Sequence, residues 1–316
     1  MINRLTYDRF RPLLLIALIG AVYAASKKLP ILLQMLLYRF GGAAGLPIDD
    51  LSRNLNAVYV IVAAVEIVPL AILYRRVFPK FWERPPEPKR RLSPAQSGLV
   101  IVLGAFGAMG LSMLWLLFAD DVLSALPFIH RQLTQFNQSM ASVDSGSYLW
   151  SFLAACVCGP IVEELIFRGL IFGCLRQLFK TPVWPVLISA ALFGIWHENA
   201  VQAAFAGILG VIFAVVYDQT GCLWINIAIH MLNNFFATPP PAINRTAIPD
   251  NIYLAAVVLI LPMIGVYIHL FAAKKPRFLQ RLGKGRRHRR RAEPPPRGLK
   301  PASLWFALCR PRGTAP

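Results

Sequence analysis

The sequence predicts an all-α membrane protein, a polytopic bundle of about eight transmembrane helices. Of its 316 residues 56% are hydrophobic and 15% are charged, and the mean hydropathy is +0.53, whereas soluble domains contain about 25% charged residues. The hydrophobic residues are grouped in segments, and a membrane-spanning helix needs about 17–25 of them. We assign eight segments: Pro12–Phe40, Ala57–Tyr74, Gly98–Phe118, Tyr148–Phe179, Val183–Trp196, Val201–Tyr217, Leu223–Ala237 and Ile252–Ala273.

The first two segments carry charged residues that need an explanation. Lys27, Lys28 and Pro30 interrupt the first, which is either one long tilted helix with lysines extending toward the interface or two shorter elements. Glu66 lies in the middle of the second, and the sequence does not reveal its partner. Several later segments are short, so the number of spans is eight, give or take one.

The distribution of positive charge predicts the orientation in the membrane. The net charge is +18, and residues 274–316 contain fourteen Lys and Arg against Glu293 alone, which leaves only +5 for the rest of the chain. The loop Arg75–Arg91 contains seven more Lys and Arg against two glutamates. Basic segments flanking transmembrane helices remain in the cytoplasm. With eight spans, this loop and both termini are cytoplasmic, and we expect a multi-pass protein of the cell inner (cytoplasmic) membrane.

The same features divide the chain into three regions. Residues 1–146 hold the N-terminal transmembrane helices and the basic loop, 147–273 hold the polar motifs described below, and 274–316 form a basic, proline-rich tail predicted to be disordered. The run Arg286–Arg291 in this tail follows the last apolar segment closely, which favours binding to anionic lipid over nucleic acid. No glycine-rich phosphate-binding loop is present, so ATP use is not expected.

The most informative segment is Glu163-Glu164-Leu-Ile-Phe-Arg168, because it places three charged residues inside an apolar run. A charge at mid-bilayer costs about 2.5–3.5 kcal/mol, so such residues pair with one another, line a wet cavity or do chemistry. On a helix Glu164 and Arg168 are i,i+4 neighbours, and Glu163 is rotated by about 100° from Glu164. One carboxylate is therefore paired and the other is free. We expect the helix to start or kink at Gly159-Pro160.

Two histidines in later apolar segments complete a set of groups that can activate water. His197 follows Phe193 by four residues, and His230 precedes Asn234 by four. A carboxylate base, imidazoles and an amide donor are the groups that hydrolysis of a carbonyl compound needs. Glu163, His197 and His230 are also residue types that bind zinc, although the sequence has no His-Glu-x-x-His helix and no Gly-x-Ser-x-Gly nucleophile motif. Asn226, one helical turn before His230, is a candidate supporting residue.

Glu-Glu-x-x-x-Arg, Phe-x-x-x-His and His-x-x-x-Asn, in this order on successive apolar helices, resemble the CAAX protease and bacteriocin-processing (CPBP, Abi) family of intramembrane endopeptidases. The resemblance extends from Tyr148 to Ala237. It implies an all-α membrane fold with a buried polar cavity, in which Glu163 and His197 activate water. It also implies that His230 and Asn234 stabilise the oxyanion and that Glu164 and Arg168 form a supporting pair. The substrate would be a membrane-associated peptide or protein tail, hydrolysed with no cofactor or with zinc.

Two other classes of protein remain alternatives. Intramembrane carboxylates and histidines also form the proton relays of transporters, but the inverted or repeated halves typical of many transporters are not evident in the sequence. A non-catalytic immunity or scaffold protein of the same fold would bind a membrane peptide and would tolerate loss of Glu163. Activity of the purified protein on lipidated and unlipidated peptides separates these alternatives.

Overall fold

The computed structural model describes residues 4–40, 55–81, 89–143, 147–244 and 246–271, and within these ranges the chain forms helices and no strand. The predicted all-α class is confirmed. Two short helical turns, Phe78–Phe81 and Pro241–Asn244, accompany the main helices. The main helices are α1 Arg4–Phe40, α2 Leu55–Val77, α3 Pro94–Leu123, α4 Pro127–Val143, α5 Tyr148–Leu178, α6 Val183–Ile195, α7 Ala200–Thr220, α8 Leu223–Ala237, α9 Ile248–Val258 and α10 Ile260–Phe271.

Seven of the eight apolar segments each overlap one helix and the eighth overlaps the pair α9 and α10, but not every helix is long enough to cross a bilayer. Among the described residues, α1, α2, α3, α5 and α7 have the required length and apolar composition, and α9 with α10 makes a sixth candidate bent by 43°. Helices α6 and α8 have 13 and 15 residues, about 20–23 Å at 1.5 Å per residue. A hydrocarbon core is about 30 Å thick. The chain is a multi-pass membrane protein, and the number eight stays a prediction.

Helix α1 decides between the two alternatives for the first apolar segment, because it is one helix of 37 residues that includes Pro12 and Pro30. It packs against α2 and α5. Between these three helices lies a largely apolar cavity of about 400 Å³, and Glu66 is among the residues that line it.

Helix α5 carries the glutamates, and its backbone is unusual. Residues Phe152–Cys158 and Leu165–Ile171 form wide π-helical turns on either side of the α-helical segment Gly159–Glu164. The helix start or kink predicted at Gly159-Pro160 corresponds to a change from π-helical to α-helical turns, with Pro160 in the first turn of the α-helical segment, inside one helical run from Tyr148 to Leu178. The wider turn before Pro160 accommodates a residue that has no backbone N–H. Such π-helical turns are frequent at functional sites.

Helices α6 and α7 pack very closely, and this places α7 against the glutamates. A Cβ atom on Gly194 of α6 would lie 2.5 Å from the Ala203 carbonyl oxygen, and one on Gly210 of α7 would lie 2.8 Å from the Ala190 Cα atom. Small residues at such crossings allow helix backbones in membranes to approach one another. Replacing either glycine would therefore separate the two helices.

Polar contacts fix both ends of α7. At its start, the Asn199 side chain accepts a hydrogen bond from Gln202 N and donates one to the Gln132 carbonyl of α4. Near its end, the buried carboxylate of Asp218 pairs with Lys89, which belongs to the basic loop, and lies 3.7 Å from Arg176 of α5. Helix α4 lies outside the apolar segments assigned from the sequence.

Several sequence predictions concern residues outside the described ranges. The basic tail 274–316, its arginine run Arg286–Arg291 and the loop position Arg84 all lie there. Binding of anionic lipid to the tail, the cytoplasmic placement of both termini and the boundaries of the three regions therefore stay predictions.

Candidate functional site

The centre of the site is a fully buried ion pair on α5. Arg168 Nη1 donates to Glu164 Oε1 at 3.0 Å, and both side chains have no exposed surface. This is the i,i+4 pair that the sequence predicted. Two opposite charges removed from water stabilise each other only if their other hydrogen-bonding groups also find partners.

Arg168 has further partners on α6 and α7. Its Nη2 atom donates to the Gly210 carbonyl at 3.4 Å. The guanidinium carbon lies 4.3 Å from the ring centroid of Phe193 and 5.0 Å from that of Phe213. A cation over aromatic faces in a desolvated site gains about 2 kcal/mol. The guanidinium is therefore held by a carboxylate, a carbonyl and two rings.

Glu164 is also bound by two residues of α8, one helical turn apart. Asn226 Nδ2 donates to the Phe213 carbonyl at 2.6 Å and lies 3.4 Å from Glu164 Oε2. His230 Nδ1 lies 3.2 Å from Glu164 Oε1. Since an ionised carboxylate only accepts hydrogen bonds, Nδ1 of His230 must carry the hydrogen. Glu164 thus fixes the orientation and the tautomer of His230, and Asn226 does support the site.

Glu163 faces the other side of the same imidazole. Its Oε2 atom is 3.7 Å from His230 Nε2, and its side chain is 20% exposed, whereas Glu164 is fully buried. The His230 ring therefore lies between two carboxylates, of which only Glu163 is accessible.

His197 joins the cluster through an aromatic ring. It lies two residues after the end of α6, and its Nδ1 atom lies 2.8 Å from the Phe193 carbonyl oxygen. The ring of Phe193 makes edge contacts with His197 at 5.0 Å and with His230 at 5.9 Å between centroids. Glu163 and His230 are among the groups that interact electrostatically with His197. Phe193 thus contacts both imidazoles.

Asn234 contacts a different part of α5 from the one that His230 contacts. Its Nδ2 atom donates to the Ala155 carbonyl at 2.9 Å, and its Oδ1 atom accepts from Asn233 Nδ2 at 3.2 Å. The Ala155 carbonyl lies in the first π-helical turn, where the wide backbone leaves carbonyls available to other donors. One of the two amide hydrogens of Asn234 is therefore engaged in anchoring α8 to α5.

The described residues do not form the ligand arrangement that the zinc alternative needs. Among the described residues, no three His, Cys, Asp or Glu side chains are arranged so that they could hold a metal ion. His230 directs both ring nitrogens toward carboxylates, and the Nδ1 atom of His197 contacts a backbone carbonyl. We therefore derive no catalytic step through a metal.

Three contributors to the site have no signature in the sequence. The Gly210 carbonyl, the Phe213 ring and the Phe213 carbonyl contact Arg168 or Asn226 only because α7 packs close to α5 and α8. Every residue has a backbone carbonyl, so the sequence does not mark the carbonyls that accept these bonds. A phenylalanine in an apolar helix cannot be told apart from residues that face lipid or the core. Phe193, by contrast, was identified from the sequence, because it precedes His197 by one helical turn in the Phe-x-x-x-His motif.

Comparison with known proteins supports the family resemblance. Residues 145–236 match the profile of the family described as Type II CAAX prenyl endopeptidase Rce1-like. The chain is 28% identical to "Putative membrane peptidase YdiL" of Bacillus subtilis over 213 residues, 64% of this chain and 78% of that protein. It is 31% identical to "Membrane-embedded CAAX protease MroQ" of Staphylococcus aureus over 97 residues, 29% of this chain and 39% of MroQ.

A third relative carries no functional description, and the comparison with solved structures found no match. The chain is 33% identical to "Uncharacterized protein YyaK" of Bacillus subtilis over 109 residues, 31% of this chain and 36% of YyaK. No solved structure matches the chain significantly. The matched region 145–236 contains the carboxylates, Arg168, both histidines and Asn234. For this region of the multi-pass membrane protein, the comparisons support the CAAX protease family.

Proposed function

We propose that the protein is an intramembrane endopeptidase that hydrolyses peptide bonds of membrane-associated peptides or protein tails with water activated by Glu163 and His197. The observation that carries the proposal is the His230 ring between two carboxylates, with Glu163 the accessible one. A purely structural ion pair needs only Glu164 and Arg168. The accessible carboxylate beside it is a group that can take a proton from water.

The contacts of His197 suit a role in activating water. Its Nδ1 atom contacts the Phe193 carbonyl, which only accepts, so Nδ1 carries the hydrogen and neutral His197 presents Nε2 as an acceptor. Glu163 and His197 then accept the two hydrogens of one water, and its oxygen attacks the substrate carbonyl carbon. Glu163 takes the proton that is released and passes it to the leaving amine when the C–N bond breaks.

The contacts of His230 suit stabilisation of the oxyanion. Because Nδ1 already carries a hydrogen toward Glu164, Nε2 can donate only when the imidazole is protonated. We propose that protonated His230 and the second amide hydrogen of Asn234 donate to the oxyanion.

The setting of the site supports a membrane-associated substrate. The proposed catalytic groups lie on α5 and α8 and just after α6, next to helices such as α5 and α7 that are long and apolar enough to cross a membrane. The matched family takes its description from prenyl endopeptidases, so a prenylated tail is one substrate to test. Peptide maturation and leader removal are others, and unlipidated peptides belong in the same panel.

The test is cleavage of lipidated and unlipidated peptides by the purified full-length protein in liposomes, followed by mass spectrometry. Glu163→Gln keeps the shape and removes the base, so we expect turnover to fall by at least about 100-fold. Glu198→Gln is the matched control, because it makes the same change on a carboxylate that is 61% exposed, and it should cleave like the wild type.

Other results would favour the alternative classes of protein. Equal cleavage by Glu163→Gln and the wild type would refute the catalytic role of this glutamate. A wild-type protein that binds peptides of the panel and cleaves none would favour the immunity or scaffold protein. Proton movement across the liposome membrane that depends on Glu163 would favour the transporter.

A further inference from the structure

Helix α1, which lies outside the matched region 145–236, contacts the turn that carries His197. The contact is made by Lys27, one of the two lysines that interrupt the first apolar segment. Its Nζ atom donates to the Trp196 carbonyl at 2.7 Å and lies 4.4 Å from the centroid of the Trp196 ring. Lys27 and Trp196 are 169 residues apart in sequence.

The backbone at this turn needs such a partner. Helix α6 ends at Ile195, and His197 N and Glu198 N make only short-range bonds, to the carbonyls of Gly194 and Ile195. Glu198 has φ 59°, a left-handed conformation that non-glycine residues rarely adopt. Carbonyls in the last turn of a helix have no intrahelical donor, and a lysine side chain can supply one. Lys27 caps the helix at the residue that precedes His197.

A second residue of α1 holds the same indole. The ring of Tyr23 stacks on that of Trp196, with 4.2 Å between centroids and 12° between planes. Tyr23 lies one helical turn before Lys27, so one face of α1 supplies both contacts. An offset aromatic pair adds about 0.5–1.5 kcal/mol beyond the buried area.

We propose that Lys27 is a positioning residue for His197, which it holds in place through the Trp196 carbonyl. This inference rests on the proposed function for its effect on catalysis. Lys27 has two acceptors at this turn, because it also lies 3.3 Å from a carboxylate oxygen of Glu198. The Glu198 side chain is 61% exposed, so this ion pair contributes little. The carbonyl bond and the cation over the indole fix the turn.

Three variants test the activity side of the proposal. Lys27→Met keeps the length of the side chain and removes the donor and the charge. Because displacing a catalytic group by about 1 Å costs on the order of 100-fold, we expect kcat to fall about 10- to 100-fold with little change in KM. Lys27→Arg should restore most of kcat, since a guanidinium also donates to carbonyls and stacks on indole. Lys28→Met, the same change at the exposed neighbour, should cleave like the wild type.

A readout that does not require activity separates this proposal from the proposed function. Hydrogen–deuterium exchange of residues 194–199 in liposomes should become faster in Lys27→Met and stay unchanged in Lys28→Met. If the wild-type protein cleaved no peptide but Lys27→Met still exchanged faster at residues 194–199, the role of Lys27 would be supported and the endopeptidase function would be refuted. Equal kcat and equal exchange for Lys27→Met and Lys28→Met would overturn the proposal. A failure of Lys27→Arg to restore kcat would overturn it as well.

Discussion

Replacing Glu164 by glutamine should destabilise the protein strongly, although the change is small. Glu164 Oε1 accepts from Arg168 at 3.0 Å and lies 3.2 Å from Nδ1 of His230, and Oε2 lies 3.4 Å from Nδ2 of Asn226. All three partners are donors. Glutamine keeps one acceptor oxygen and introduces an NH₂ group that must face one of them.

The magnitude follows from these contacts. Removing one partner of a buried ion pair costs about 3–5 kcal/mol. The amide oxygen can still accept from Arg168, which favours the lower end of this range. The NH₂ group would then face Asn226, whose amide can turn to accept it only by releasing the Phe213 carbonyl, to which it donates at 2.6 Å. We therefore expect Glu164→Gln to lower the free energy of unfolding by about 3 kcal/mol.

The assay is equilibrium unfolding of the purified protein in mixed micelles as the SDS fraction increases. Glu163→Gln is the matched control, because its side chain is 20% exposed and its ion contact is long, at 3.7 Å; it should change the free energy of unfolding by less than about 1 kcal/mol. Arg168→Met leaves Glu164 buried without its guanidinium and should cost about 3–5 kcal/mol. The double variant Glu164→Gln/Arg168→Met should cost less than the sum, with a coupling of about 2–3 kcal/mol.

Two results would refute this reasoning. If Glu164→Gln unfolded at the same SDS fraction as the wild type, Glu164 would not be the partner that stabilises the buried guanidinium. If the single variants were additive in the double variant, the ion pair would not be the source of the effect.

Three further predictions concern the supporting contacts, the metal and the topology. Asn226→Ala should lower the free energy of unfolding by about 1–3 kcal/mol, since it leaves the Phe213 carbonyl without its donor in a buried site; SDS unfolding measures this, and a neutral result would contradict it. Prolonged chelation should leave peptide cleavage intact, whereas stoichiometric zinc lost together with activity would favour Glu163, His197 and His230 as ligands. Single cysteines at positions 84 and 287 should be labelled from the cytoplasmic side only, and labelling of either from outside would refute the eight-span arrangement.

The parts of the site that were predicted correctly are those that lie within one helix. Glu164 and Arg168 are neighbours because the helical period places residues four apart on one face, and this holds despite the wide turns in α5. The start or kink expected at Gly159-Pro160 takes the form of an α-helical segment that begins at Gly159 directly after a π-helical turn, so the helical run continues through the proline.

The sequence by itself determined the apolar helices, the membrane class and which residues carry polar chemistry, because apolar segment length and the cost of charge in lipid act locally along the chain. Only the tertiary structure decided which of these groups touch. It placed His230 between Glu163 and Glu164, attached Asn234 to the Ala155 carbonyl and brought Lys27 to Trp196. Contacts between helices depend on the rotation and closeness of each packed pair. The rotation and the closeness of two helices depend on small residues and on carbonyl acceptors that lie far apart in the chain. No periodicity in the sequence encodes these interhelical contacts.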